Sequence, residues 1–178
     1  MRYLTVFLMC LALSACGGGG GAESSSGTPL KVVAFYGDSI TAGRTKDIAQ
    51  GHFETQDFAV PAMDSNTQLH PDDMATVKVL RYGMADVFHE IPPWVTRLNL
   101  ILLVAKVTAM GHTPVVVNIS YTESGIEKAT NEAIKDITHI DVTDIPGATV
   151  DGIHPTEEYH VRLNQRIRER LVNDALKR

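Results

Sequence analysis

Residues 31–36 (KVVAFY) and 114–119 (PVVVNI) are short, β-branched and nearly all apolar, and they constrain the fold more than any other stretch. A strand that is apolar on both faces has to be covered on both faces, the condition of a parallel sheet flanked by helices. Residues 76–82 (TVKVLRY) read as a third such strand, 139–142 as a weaker fourth, and 57–60 as a short strand between the first and the third. Helical patterns lie between them. Residues 93–110 are strongly apolar and stop at Gly111, a natural C-cap. Their longest apolar stretch, 100–105, is bounded by Asn99 and Lys106, which makes a core helix and not a membrane span. Residues 124–137 form a second amphipathic pattern. The last, 156–176, sets Tyr159, Leu163, Ile167 and Leu171 four apart, with Thr156 as its start and two acids in its first turn. Strands alternating with helices predict an α/β sandwich with a mostly parallel, five-stranded sheet. Reactive groups in such sheets collect at the carboxyl ends of the strands, so a motif gains weight when it falls directly after one.

The N-terminus does not fit this pattern. Met1-Arg2 is a positive start, and residues 3–13 form an apolar run too short to span a bilayer but of the length of a signal-peptide core. The run ends in Leu13-Ser14-Ala15-Cys16, which resembles the bacterial lipobox, where the leader is cut before a cysteine that then carries lipid. An ordinary secretory leader cut after Ala15 is the alternative. Gly17 to Gly21 are all glycine, and serines and glycine dominate residues 22–28, so this stretch has almost nothing to bury and reads as a flexible tether. As a phosphate-binding loop it fails, because no strand precedes it and no Gly-Lys-Ser/Thr follows. The expected organisation is a signal peptide at 1–15, lipidated Cys16 and tether at 16–28, and one folded domain at 29–178. It places the protein in the bacterial cell envelope, with the membrane as partner through the lipid on Cys16.

Both cysteines, Cys10 and Cys16, precede the domain, so no disulfide or thiol chemistry is expected within it. A net charge of −5 argues against a nucleic-acid partner, which calls for a basic stripe. The basic residues at 162, 166, 168, 170, 177 and 178 read as a solvated helix face.

Two motifs pass the strand-end test. Gly37-Asp38-Ser39-Ile40-Thr41-Ala42-Gly43 follows the first strand directly. A serine there would stand at the N-terminus of the following helix, where N–H groups and the dipole favour an oxyanion on its substrate. A free serine hydroxyl is a weak nucleophile and needs a base. Asp151-Gly152-Ile153-His154-Pro155 supplies one, just before the last helix. An aspartate three residues ahead of a histidine can hold its imidazole in one tautomer and stabilise the protonated form, and Pro155 keeps the segment out of the helix. His52, His70, His89, His112, His139 and His160 lack such a setting and read as surface or core residues. His154 and His160 make a poor metal site without a third ligand.

VVAFYGDSITAG followed far downstream by DGIHP resembles the GDSL, or SGNH, hydrolases, and the resemblance runs from Lys31 to the C-terminus. It implies a flavodoxin-like, three-layer α/β/α sandwich, with Ser39 as nucleophile, His154 as general base and later acid, and Asp151 as the orienting carboxylate. The competing Gly-x-Ser-x-Gly signature is absent from the domain. The middle motifs depart from the family. Its oxyanion hole joins the serine N–H to a glycine N–H and an asparagine side chain. Here Ala62, in Phe58-Ala59-Val60-Pro61-Ala62, stands at the glycine position, and Ala85, in Gly83-Met84-Ala85-Asp86, at the asparagine position. Ala62 can still offer its backbone N–H; Ala85 has no side-chain donor. Losing one such donor typically costs about 2.7–4 kcal/mol of transition-state stabilisation. Asn66, in the polar loop 62–70, is a candidate replacement.

Three functions fit. The first is a serine esterase cleaving a small, short-acyl or acetyl ester through an acyl-serine intermediate, with a small ester or acylated glycan as substrate. The second is a binding lipoprotein that kept the fold and lost turnover, and the third an O-acyltransferase or deacetylase acting on an envelope glycan. None needs a metal or organic cofactor.

Overall fold

The computed structural model describes residues 31–176. The leader, Cys16, the tether and the proposed domain start at Pro29 lie outside the described residues. The central strand β1 (Val32–Gly37) is followed by a short helix α1 (Thr45–Ala49), an edge strand β2 (Glu54–Asp57) and, after a long loop, β3 (Val77–Arg81). Next come α2 (Met84–Phe88), α3 (Pro93–Ala109), β4 (Thr113–Val116), α4 (Lys128–Ile134) and α5 (Glu157–Arg170), which runs into a π-helical turn at Leu171–Ala175. The sheet order is β2-β1-β3-β4, and every pairing is parallel.

Each strand divides its side chains between two cores because successive residues point to opposite faces. Val33 and Phe35 of β1 join Val77, Val79 and Val115 under Ile48 of α1 and Tyr159, Leu163 and Ile167 of α5. Ala34 and Tyr36 join Leu80 and Val116 on the other face, under Leu100 and Leu103 of α3 and Ile134 of α4. The result is the three-layer α/β/α sandwich. On α3 only Thr96, Leu100, Leu103 and Val107 are buried, while Trp94, Leu98 and Leu102 face outward. This helix covers a sheet face and is not enclosed in a core. No helix among the described residues is long and apolar enough to cross a membrane.

Among the described residues four strands form where five were expected. At the fifth position a single parallel bridge joins Val117 and Ile140. Beyond it the Asn118 side chain takes over the ladder, its Oδ1 accepting from the Val142 N–H at 2.9 Å and its Nδ2 donating to Asp141 at 2.8 Å. Asp141 in turn binds the N–H and hydroxyl of Thr143, which turns the chain away. The edge strand β2 lies three residues before the expected 57–60, because its sequence ETQD carries no apolar alternation to mark it.

The order reverses at β1, with connections leaving to either side, so the crevice at the carboxyl ends of β1 and β3 is where a ligand site belongs. Gly37 closes β1 at a point where a Cβ would lie 2.5 Å from the Arg81 carbonyl oxygen. Gly83 closes β3 with φ 128°, a conformation other residues rarely take. Gly37 thus lets the ends of β1 and β3 come together, and Gly83 lets the chain turn into α2 against Ile119.

Candidate functional site

Ser39 lies two residues past β1, in a turn closed by the N–H groups of Thr41 and Ala42, which both donate to the Asp38 carbonyl. That turn separates it from α1, which is only five residues long and starts at Thr45. The expected helix N-terminus under Ser39 is not formed. What fixes the turn instead is Asp38, buried beneath it. One carboxylate oxygen accepts from the Ile40 N–H at 3.1 Å and the other from the Ala85 N–H at 3.4 Å, tying the end of β1 to the start of α2. Burial pushes the Asp38 carboxyl up, opposed by those N–H groups and by the charge of buried Arg81.

The second motif arrives from the other end of the chain. Residues 149–155 fold back on themselves: Thr149 and Pro155 form an antiparallel bridge, the Val150 N–H donates to the His154 carbonyl at 2.9 Å, and the Thr156 N–H to the Ala148 carbonyl at 2.9 Å. Asp151 organises the tip. Its Oδ1 accepts from the N–H groups of Ile153 and His154, and its Oδ2 lies 2.7 Å from the His154 Nδ1. These hydrogen bonds, first that from the His154 N–H and then that from its ring, hold the Asp151 carboxyl down at about 2. The remaining ring nitrogen, Nε2, lies 3.0 Å from the Ser39 Oγ. The α5 helix begins directly behind, with Thr156 as N-cap accepting from the Tyr159 N–H. Ser39, His154 and Asp151 thus form one hydrogen-bonded chain, with His154 42% and Asp151 49% exposed at the side chain and open to solvent.

Ser39 and His154 line a cleft of about 570 Å³, whose walls include Pro61, Ala62, Met84, Ala85 and Phe88. The structure therefore brings Ala62 and Ala85 to the same space as Ser39. Ala62 takes φ 60°, the left-handed conformation expected of a glycine at this position. Ala85 is buried and, as expected, brings no side-chain donor; its own N–H is turned to Asp38. Asn66 does not replace it. That residue lines a separate cleft with Gln68, Asn99, Leu102 and Lys106, because neighbouring Ser65 is held by the Asp86 carboxylate and Asn99.

Two residues, one on the cleft wall and one buried behind it, were given no role in the sequence. His89, grouped there with the surface or core histidines, stands on the cleft wall, and its Nδ1 lies 2.5 Å from Asp64. The available signal was its spacing, four residues after Ala85 on a helix. Asp86, fully buried, accepts from the Ser65 N–H at 2.7 Å and the Thr96 hydroxyl at 2.5 Å, and so pins the loop that carries Ala62 and Asp64 to the helices behind it.

No protein-family model matches the sequence, and no curated protein matches it either. Solved structures do match the fold. A member of the lipolytic protein G-D-S-L family from Veillonella parvula superposes with a TM-score of 0.62 at 11% identity, covering 83% of this chain and 100% of that one. A lipolytic protein of the G-D-S-L family from Desulfitobacterium hafniense gives 0.64 at 14% identity, over 79% and 99%. An acetyl xylan esterase gives 0.59 at 14% identity, over 76% and 97%. The domain has the fold of the GDSL, or SGNH, hydrolases.

Proposed function

We propose that the chain is a serine esterase that cleaves small acyl esters through an acyl-serine intermediate. The observation that carries this reading is the 3.0 Å contact between the Ser39 Oγ and the His154 Nε2, continued at 2.7 Å from the His154 Nδ1 to Asp151. In the first step the Ser39 oxygen attacks the ester carbonyl while His154 Nε2 takes the hydroxyl proton. Asp151 stabilises the imidazolium and keeps its ring oriented. The tetrahedral oxyanion lies against the N–H groups of Ser39 and Ala62. His154 then gives its proton to the leaving alkoxide, and a water repeats the sequence to release the acid.

Pro61, Met84, Ala85, Phe88 and Ile153 give the cleft apolar walls suited to an acyl group. The lipobox-like leader supports an anchored position at the cell envelope, where acetylated glycans are accessible, and the fold shared with an acetyl xylan esterase agrees with that substrate class. Ala85 favours a second reading, a domain that binds esters and turns them over slowly.

A fluorophosphonate probe and a series of p-nitrophenyl esters of rising chain length test the proposal on the full chain. Ser39-dependent labelling and turnover that is highest on the shortest esters are expected. A folded protein that the probe does not label would sink it.

A further inference from the structure

We propose that His89, held by Asp64, supplies to the oxyanion the electrostatic stabilisation that Ala85 cannot. The inference rests on the esterase reading above and adds a residue to its machinery.

Ala85 and His89 are one helical turn apart, and the His89 N–H donates to the Ala85 carbonyl at 2.9 Å. His89 is the C-cap of α2, and residues at this spacing lie on one face of a helix. Ala85, His89 and Ser39 all line the same cleft. Replacement of the donor at 85 and its supply from 89 are then two sides of one change.

The pairing with Asp64 assigns the two ring nitrogens different partners. Nδ1 is engaged by the carboxylate at 2.5 Å, which leaves Nε2 for the substrate. As an imidazolium the ring donates from both nitrogens. It then presents an N–H and a positive charge to the side of the oxyanion that faces α2, while Ala62 covers another side from the neighbouring loop. Asp64 and Ala62 belong to the same short segment, and that segment is pinned by Ser65 to the buried Asp86. Two His–Asp pairs thus flank the cleft with different tasks: His154 and Asp151 move the proton, while His89 and Asp64 serve the oxyanion.

The test is steady-state hydrolysis of p-nitrophenyl acetate by the full chain, with fluorophosphonate labelling as a parallel readout. His89→Ala is expected to lower kcat about 10²-fold with KM changed less than about threefold, as when one oxyanion donor is removed. His89→Gln, which keeps a neutral donor, should retain part of that loss. In the His89→Ala background, Ala85→Asn should restore at least about tenfold, and it should add much less when His89 is present. His89 is half-exposed, so both variants should fold, and a thermal melt checks this. Labelling of the parent together with a His89→Ala variant within about twofold of it would overturn the inference alone. Equal gains from Ala85→Asn with and without His89 would do the same. A parent that is not labelled at Ser39 would remove the esterase reading, and this inference with it.

Discussion

The Asp151 carboxylate holds His154 at two points, Oδ2 lying 2.7 Å from the ring Nδ1 and Oδ1 accepting from the backbone N–H at 2.8 Å. One side chain therefore sets both the tautomer of the base and the shape of the loop that carries it. Asp151→Asn keeps the size but offers an amide where the ring needs a carboxylate, and kcat is expected to fall by about 10³–10⁴. The same hydrogen bonds depress the Asp151 carboxyl to about 2, so it stays ionised as pH falls until that value is approached. A loss of turnover on mild acidification is therefore not a titration of Asp151. A pH profile of kcat/KM for parent and variant checks both statements. A variant within tenfold of the parent would take Asp151 out of the machinery.

His160 predicts a pH-dependent stability. It is buried on α5, and burial first, then the charges of Arg44 and Arg81, lower its pKa from 6.5 to about 4, with Glu157 opposing. The folded ring binds its proton more weakly than the unfolded one. Between about 6.5 and 4 the unfolded chain carries the extra proton, so stability falls as pH falls through that window and is unaffected above it. The full loss is at most about 3 kcal/mol. Urea midpoints measured from neutral pH downward should decline across the window. His160→Leu should flatten the decline, and an unchanged slope in that variant would count against this assignment.

How much of this was legible follows from where the signal lay. β1 and β4 announce themselves as continuous apolar runs because both faces are buried, and Tyr159, Leu163 and Ile167 announce α5 by their spacing. The Ser39 and Asp151/His154 motifs were legible because each falls at a strand end or a helix start. β2 was misplaced because an edge strand of polar residues has no periodicity to read. The fifth strand was overcounted because its termination depends on the Asn118 side chain, which lies far back in the sequence. His89 was passed over for the same reason. Its partner Asp64 is 25 residues away, and nothing local marks the two as neighbours.

A buried charge network under the sheet gives a stability prediction. Lys78, on the inner strand β3, is fully buried and pairs with Asp73, which also accepts from the Tyr36 hydroxyl at 2.7 Å and the Ala75 N–H at 2.9 Å. Asp73→Ala leaves an ammonium buried without its counter-charge, and a loss of about 3–5 kcal/mol is expected. Changing both, Asp73→Leu with Lys78→Met, removes the charge along with its partner and should cost clearly less. Chemical denaturation of the two proteins decides it. A double variant less stable than Asp73→Ala would show that the ion pair itself, and not the stranded charge, dominates.

The strain at Ala62 separates a backbone donor from a bystander. Its φ of 60° lies in the left-handed region, which costs a residue with a Cβ about 1–2 kcal/mol relative to glycine. Ala62→Gly removes that cost but adds freedom to the unfolded chain, about 0.4–1 kcal/mol in the opposite direction. Stability should therefore rise by between about 0 and 1.6 kcal/mol, and kcat should be kept. Ala62→Val adds a β-branched side chain where the backbone tolerates it least, so the segment should relax toward negative φ and turn its N–H away from the cleft. If that N–H contacts the oxyanion beside Ser39, kcat for p-nitrophenyl acetate falls by about 10²-fold or more while Asp86 still holds Ser65 in place. Unchanged turnover in Ala62→Val, with the melt lowered as strain requires, would mean that the loop shapes the cleft without touching the reacting oxygen.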